Sequence, residues 1–155
     1  MASNTLLQRL DTAALTTGSS VGASHRRQVE DFISSAAIVA GDVVGLDNTK
    51  TGADRVLFVK QAAAVTNGNP LAIGVALDAA SGADERVRVV VAGYVEGVNC
   101  TAGAVATGKP LIAGAVAGQV EEAAASDLTG LFGVALEAKG DTTANKVTIH
   151  IFKRF

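Results

Sequence analysis

One segment of the chain satisfies the consensus of a phosphate-binding loop. Gly103 to Lys109 fits G-x-x-x-x-G-K, in which backbone amides cradle phosphates and the lysine neutralises their charge. That motif needs a serine or threonine hydroxyl for magnesium at the next position, where this chain has Pro110. It must also open a helix, whereas Leu111 to Gly114 is typical of a short strand. We therefore reject nucleotide binding and interpret Gly108 as a residue of an ordinary turn.

The other residues that could do chemistry are few and far apart. The two histidines, His25 and His150, do not make a metal site without further ligands. Cys100 has no nucleophile signature around it, and we expect a small buried hydrophobe there. The acidic residues lack the spacing of a calcium loop, and no feature selects two of them for glycoside hydrolysis. We therefore predict that the chain is not an enzyme and has no catalytic, metal or cofactor site.

The composition favours many short strands. The 155 residues include 29 Ala, 20 Val and 17 Gly, but only five Phe, one Tyr and no Trp. Because aromatic residues usually dominate cores and ligand pockets, this core must consist of small and β-branched side chains, with glycine in the turns. The net charge is -2 and the basic residues are scattered, which indicates no nucleic-acid partner. No apolar run approaches the ~20 residues of a membrane span, so we expect no membrane partner either.

An internal repeat runs through the chain, over residues 40–95 and again over 107–152. Its clearest blocks recur in the same order at displacements of 61, 59 and 60 residues. These blocks are Val59–Ala64 with Val120–Ala125, Gly74–Ala79 with Gly133–Ala138, and Arg86–Val91 with Lys146–Ile151. In the last block Val147, Ile149 and Ile151 alternate with polar residues, as in a half-buried strand. The pattern predicts a mainly β domain, a compact barrel or sandwich built from two related units. The alanine triplets at 62–64 and 123–125 are also compatible with short helices.

Residues 1–35 precede the β domain of residues 36–155, and we interpret them as an extended N-terminal arm. Their apolar side chains are sparse and have no evident place inside the repeat, so burying them needs an external or neighbouring-subunit surface. The arginines of the arm would lie against acidic groups there. A chain that begins at Ala36 should accordingly stay folded and lose affinity for its partner. The predicted partner-binding residues are Leu6, Leu7, Leu10, Arg26, Arg27, Val29, Phe32 and Ile33.

Several repeat blocks resemble the small decoration (cement) proteins of tailed bacteriophage capsids. The resemblance covers roughly residues 36–155 and is carried by Ala40–Leu46, Gly74–Leu77, Val87–Val95 and Gly133–Leu136. It implies a virion protein, made in the host cytoplasm, that binds the capsid exterior and stabilises the head. It also implies the major capsid protein as partner, often a homotrimer over a local threefold axis, and an arm lying along the capsid. The chain departs from the resemblance in the long stretch before its repeat.

Three other hypotheses remain beside a decoration protein. Within the viral interpretation, a head-fibre or tail structural protein is the near neighbour. A small-molecule-binding β-barrel is a second possibility, against which the lack of aromatic residues weighs. A virion or cell-surface glycosidase with two unrecognised carboxylates is the third.

The alternation in the last repeat block gives a test by substitution. Ile149→Asp should unfold the domain, because it places an unpaired carboxylate on the buried side of a strand. His150→Ala should change the free energy of unfolding by no more than about 0.5 kcal/mol, since exposed substitutions rarely do more. Thermal denaturation followed by circular dichroism distinguishes the two. Equal melting of both variants would show that the sides of this strand are assigned wrongly.

Overall fold

The computed structural model describes residues 27–65, 68–124, 130–140 and 146–152. These residues form nine β-strands and one short 3-10 helix, with no α-helix among them, so the predicted mainly β fold is confirmed. The alanine triplet at 62–64 lies in a loop and not in a helix. The elements are β1 (Arg27–Ser34), β2 (Val43–Leu46), the 3-10 helix (Gly52–Val56), β3 (Phe58–Gln61), β4 (Ala72–Ala76), β5 (Arg86–Asn99), β6 (Pro110–Ala113), β7 (Val120–Glu122), β8 (Leu131–Ala135) and β9 (Lys146–Ile151).

The first five strands close into a barrel. They follow the order β1-β3-β2-β4-β5, and an additional antiparallel pairing of β1 with β5 completes the ring. Ile33 of β1 lies opposite Phe58 of β3 in parallel register, while Phe32 lies opposite Val87 of β5. Closure pairs both edges of this sheet, which would otherwise expose unpaired backbone groups to water or to other chains.

The remaining strands repeat this arrangement on the far half of β5. The order continues as β5-β9-β8-β6-β7, and β7 returns to the end of β5 through a parallel bridge between Cys100 and Val120. There the amide of Thr101 donates to the carbonyl of Val120 at 2.9 Å. The 14-residue strand β5 therefore belongs to both barrels: its first half is the last strand of the first barrel, and its second half is the first strand of the second barrel.

The pairings show that the repeat also includes β1. Ser34 lies opposite Val59 in the first barrel, and Cys100 lies opposite Val120 in the second. The structural counterpart of β1 is therefore the second half of β5, 66 residues further along the chain. The sequence carries a faint sign of this, since the pair Val29-Glu30 recurs at the same displacement as Val95-Glu96.

Both barrels are filled by residues at equivalent positions. Phe32 fills the first interior where the second has Val98, and Phe132 fills the second where the first has Ile73, so each interior contains one large ring. Such compensation keeps the packed volume similar. The first interior comprises Phe32, Ile38, Val44, Val59, Ile73, Ala76, Ala80, Val87, Val89 and Val91. The second comprises Val95, Val98, Cys100, Val105, Leu111, Ala113, Val120, Phe132, Ala135, Val147, Ile149 and Ile151, with the buried Lys139 at its end.

A bulge recurs in both units and explains one glycine in each. The register between neighbouring strands shifts beside Ile73 in β4 and beside Phe132 in β8, which turns both side chains inward. The strands approach closely there. A Cβ added to Gly74 would lie 2.3 Å from the carbonyl oxygen of Val90, and one added to Gly133 would lie 2.5 Å from that of His150. Glycine is therefore required at both positions.

The two barrels are joined along a buried seam. Val43, Val75 and Val90 point outward from the first barrel, yet they are fully buried in the same apolar cluster as the second interior. The turn between β6 and β7 covers them, because Val43 donates its amide to the carbonyl of Gly118 at 2.8 Å and Gly118 donates to Ala62 at 3.1 Å.

A carboxylate lies at the edge of this seam. Asp42 is 4% exposed and accepts hydrogen bonds from the side chains of Gln61 at 2.6 Å and Asn99 at 2.8 Å, and from the amide of Val39 at 2.8 Å. Asn99 belongs to the half of β5 that forms the second barrel. A buried charge is tolerated when it is hydrogen-bonded in this way, so Asp42 fixes the two barrels to each other.

Strand β1 corrects the predicted boundary of the arm. Residues 27–33 pair with β5, Ile33 and Ser34 also pair with β3, and Phe32 is 9% exposed inside the first barrel. The expectation that Phe32 and Ile33 have no place in the β domain is therefore wrong. Strand pairing between residues 55 positions apart, such as Phe32 and Val87, leaves no local pattern from which it could be inferred. The predicted binding residues Leu6, Leu7, Leu10 and Arg26 lie outside the described residues.

This correction changes the expected effect of truncation. A chain that begins at Arg27 should melt near the temperature of the full chain, because it keeps the strand that closes the first barrel. A chain that begins at Ala36 loses that strand and should be destabilised by at least the about 3–5 kcal/mol typical of removing a buried phenylalanine side chain. Phe32→Ala in the full chain is the matched control and should fall between the two. Equal stability of the two truncated chains would restore the boundary predicted from the sequence.

Candidate interaction surfaces

The described part of the predicted binding set does not form one exposed patch. Arg27 is half-buried opposite Gly93, and Val29 is 40% exposed on the outer side of β1. Phe32 faces the interior, while Ile33 is half-buried beside the β2–β3 connection. Of the four, Val29 therefore presents the most apolar surface to a partner.

A ladder of paired charges crosses the outside of the first barrel. Arg86 donates to both carboxylate oxygens of Asp31, at 3.0 and 2.7 Å, and Arg88 does the same to Asp78, at 2.8 and 2.7 Å. These hydrogen bonds lower the pKa of both aspartates. In the sequence Arg86 and Arg88 alternate with Val87 and Val89, which predicts that both arginines point outward but does not identify the acids they contact. The ladder is exposed, so a partner docking here has to match charges of both signs.

The β2–β3 connection, residues 47–57, holds apolar side chains out toward solvent. Val56 is 61% exposed and Leu57 is 44% exposed. The connection is anchored by Asp47, whose buried carboxylate accepts from the Lys60 ammonium at 2.8 Å and from the Thr49 hydroxyl at 2.8 Å. The hydrogen bond from Lys60 lowers the pKa of Asp47 far below its ordinary value, against the opposing effect of burial.

A row of side chains crosses the outer wall of the second barrel. Tyr94 lies opposite His150, His150 opposite Val134, and Val134 opposite Pro110. The ring of Phe152, 41% exposed, stands edge-on to His150 with their centroids 6.5 Å apart. The Tyr94 hydroxyl donates to the carboxylate of Glu96, which raises the pKa of Tyr94. This wall combines aromatic and aliphatic surface with few charges, as protein interfaces commonly do.

The residues considered for chemistry in the sequence lie in structural positions of the fold. Cys100 is fully buried, as expected, and burial raises the pKa of its thiol, so it is a poor nucleophile. Gly108 lies in a turn with a φ of 80°, and strand β6 begins two residues later, as expected for a segment that is not a phosphate-binding loop. The buried Lys139 donates its ammonium to the carbonyls of Thr101 and Gly103, both at 2.8 Å, at the end of the second barrel.

A depression beside Gly45, Lys60 and Leu71 has a volume of about 230 Å³, below the roughly 300–1,000 Å³ typical of ligand pockets. Within the described ranges no three His, Cys, Asp or Glu side chains converge as metal ligands. No helix in that part of the chain is long and apolar enough to cross a membrane.

Comparison with solved structures finds this fold in a bacteriophage protein. The crystal structure of the head fibre gp8.5 N base of bacteriophage phi29 is similar with a TM-score of 0.56. The match covers 82% of this chain and 95% of that chain, at 17% sequence identity. The two chains therefore share a fold. No protein-family model and no curated protein sequence matches this chain.

The anchored carboxylate of Asp47 makes stability depend on pH. Because its pKa in the folded chain lies below the ordinary 3.8, its contribution is complete above that pH and is lost as the pH falls further. Asp47→Asn should lower the free energy of unfolding at pH 7 by about 1.5–3 kcal/mol, as for hydrogen bonds to charged groups. The difference in the free energy of unfolding between Asp47→Asn and the unaltered chain should become smaller below about pH 4. Urea denaturation from pH 7 to pH 2 measures both, with Asp54→Asn as an exposed control in the same connection. A difference that does not change with pH would contradict this role.

Proposed function

We propose that this chain is a structural protein of a bacteriophage particle that binds the outer surface of the head. The observation that carries the proposal is the fold shared with the head fibre gp8.5 N base over nearly the whole of that chain. The resemblance of the repeat blocks to capsid decoration proteins supports the same location on other grounds, since it rests on residues and not on the fold.

The architecture suits a protein that works through its surface. Both barrel interiors contain buried apolar side chains, and the closed strand order holds these side chains inside. Closing the sheet hides strand edges, which matters for a protein crowded in many copies on a lattice. Repeated copies also raise the avidity of weak individual contacts.

The major capsid protein is the proposed partner, and a homotrimer is the proposed state of the chain. The exposed apolar residues Val29, Val56 and Leu57 provide contact area on the first barrel, as does the ladder of charges formed by Asp31, Asp78, Arg86 and Arg88. Association through the ladder would weaken with salt, because exposed charges are screened within about 10 Å at 0.1 M ionic strength.

Two functions fit this location. A decoration protein cements neighbouring capsid subunits and stabilises the head, whereas the base of a head fibre attaches another structure to it. The resemblance of the repeat favours decoration, and the solved structure favours a fibre base. We take decoration as the main proposal and the fibre base as the second candidate.

Binding to particles that lack this protein tests the proposal. The purified full chain should co-sediment with such heads and saturate at a fixed number of copies per head. Ile149→Asp, which we expect to unfold, is the control for binding through the folded barrels. Absence of saturable binding by the folded chain would overturn the capsid proposal.

The same particles separate decoration from a fibre base. A decoration protein should raise the temperature at which the heads release their DNA, in proportion to occupancy. Saturable binding without such a shift would favour the fibre base and contradict the cement function.

A further inference from the structure

The seam between the barrels has a counterpart that the described residues of the chain cover only in part. Five outward residues of the first barrel are buried at the seam, between 0 and 3% exposed. Their equivalents on the second barrel form what we call the open face. The pairs are Val43 with Pro110, Ala62 with Ala123, Ala72 with Leu131, Val75 with Val134, and Val90 with His150.

The backbone supports these equivalences directly. The amide of Ala62 donates to the carbonyl of Val43, and that of Ala123 donates to Pro110, both at 2.9 Å. Val43 lies opposite Val75, and Pro110 lies opposite Val134, in the same antiparallel register. The open face therefore has the strand geometry of a surface that already packs against a barrel of this fold.

The open face is also mostly apolar, like the seam. Four of its five residues are apolar, yet Pro110 and His150 are exposed, and Ala123, Leu131 and Val134 are half-buried. At the rim, Lys109 and Glu122 form a salt bridge of 3.2 Å where the seam has the hydrogen bond between Asp42 and Gln61. That salt bridge is neutral overall, so the face offers little charge to attract a strongly acidic or basic partner.

The element that covers the seam indicates which element of a second copy would cover the open face. The turn of residues 114–119 covers it in this chain, and the equivalent element of the first barrel is the β2–β3 connection. That connection is longer and carries the exposed side chains of Val56 and Leu57. Beside it, Ile33 occupies the position that Asn99 has at the seam. Each copy thus carries an open apolar face at one end and an apolar covering element at the other.

We propose that the open face of one copy is covered by the β2–β3 connection of a second copy. Chains then assemble head to tail, repeating between molecules the contact that joins the barrels within one. Such a heterologous contact closes into a ring or continues as a filament, depending on the rotation between copies. The inference rests on the homo-oligomer in the proposed function and names its interface, but it does not depend on capsid binding.

Light scattering and sedimentation of the full chain in solution test this contact. The unaltered chain should form an oligomer, and either Val134→Lys on the open face or Leu57→Lys on the connection should reduce it to a monomer. Val39→Lys, at a side chain 59% exposed, is the matched control and should leave the oligomer intact. Circular dichroism must show all three variants folded.

Mixing the two disruptive variants decides the head-to-tail geometry. Each retains one intact half of the contact, so an equimolar mixture should yield a heterodimer although neither variant associates alone. A monomeric unaltered chain, or an oligomer that survives Val134→Lys, would overturn the proposal. Loss of the oligomer with Val134→Lys but not with Leu57→Lys would also overturn it. Capsid binding by a monomeric chain would leave the capsid proposal standing while this one fails.

Discussion

The structure depends on one strand that two barrels share. The first half of β5 pairs with β1 and β4, and its second half pairs with β9, so neither barrel closes without it. Because the same backbone runs through both rings, the barrels cannot separate or rotate freely without breaking strand pairing. The seam residues Val43, Val75 and Val90 are consequently held against the second unit and completely buried.

This constraint explains which parts of the fold could be predicted from the sequence. The strands of the repeat blocks were accessible because each alternates within a few residues, as in Val147 to Ile151. The closing strand β1 was not predicted because its partners lie far along the chain and because three of its eight residues, Arg27, Glu30 and Asp31, are charged. Closure is a long-range property, and a local pattern does not encode it.

The candidate site was predicted less well, for a related reason. An outward residue can bind a partner only if no other part of the chain covers it. The seam between the barrels covers several outward residues of the first barrel. The sequence placed His150 at the position of Val90 and indicated an exposed or interface residue there, which the exposure of His150 bears out. Aligning the first block of each repeat copy, Ala40–Val44 with Thr107–Leu111, also places Pro110 at the position of Val43 and Lys109 at that of Asp42. The consequence of these replacements depends on the fold, because Val43, Val90 and Asp42 are buried at the seam.

A cryo-electron reconstruction of phage heads carrying the full chain tests the central claim most directly. That claim is that two fused barrels, joined through β5, act as one rigid body on the outside of the head. The account predicts outer-surface density for both barrels in the relative orientation set by the seam, beside the major capsid protein. Density inside the shell, or two barrels separated from each other, would contradict it.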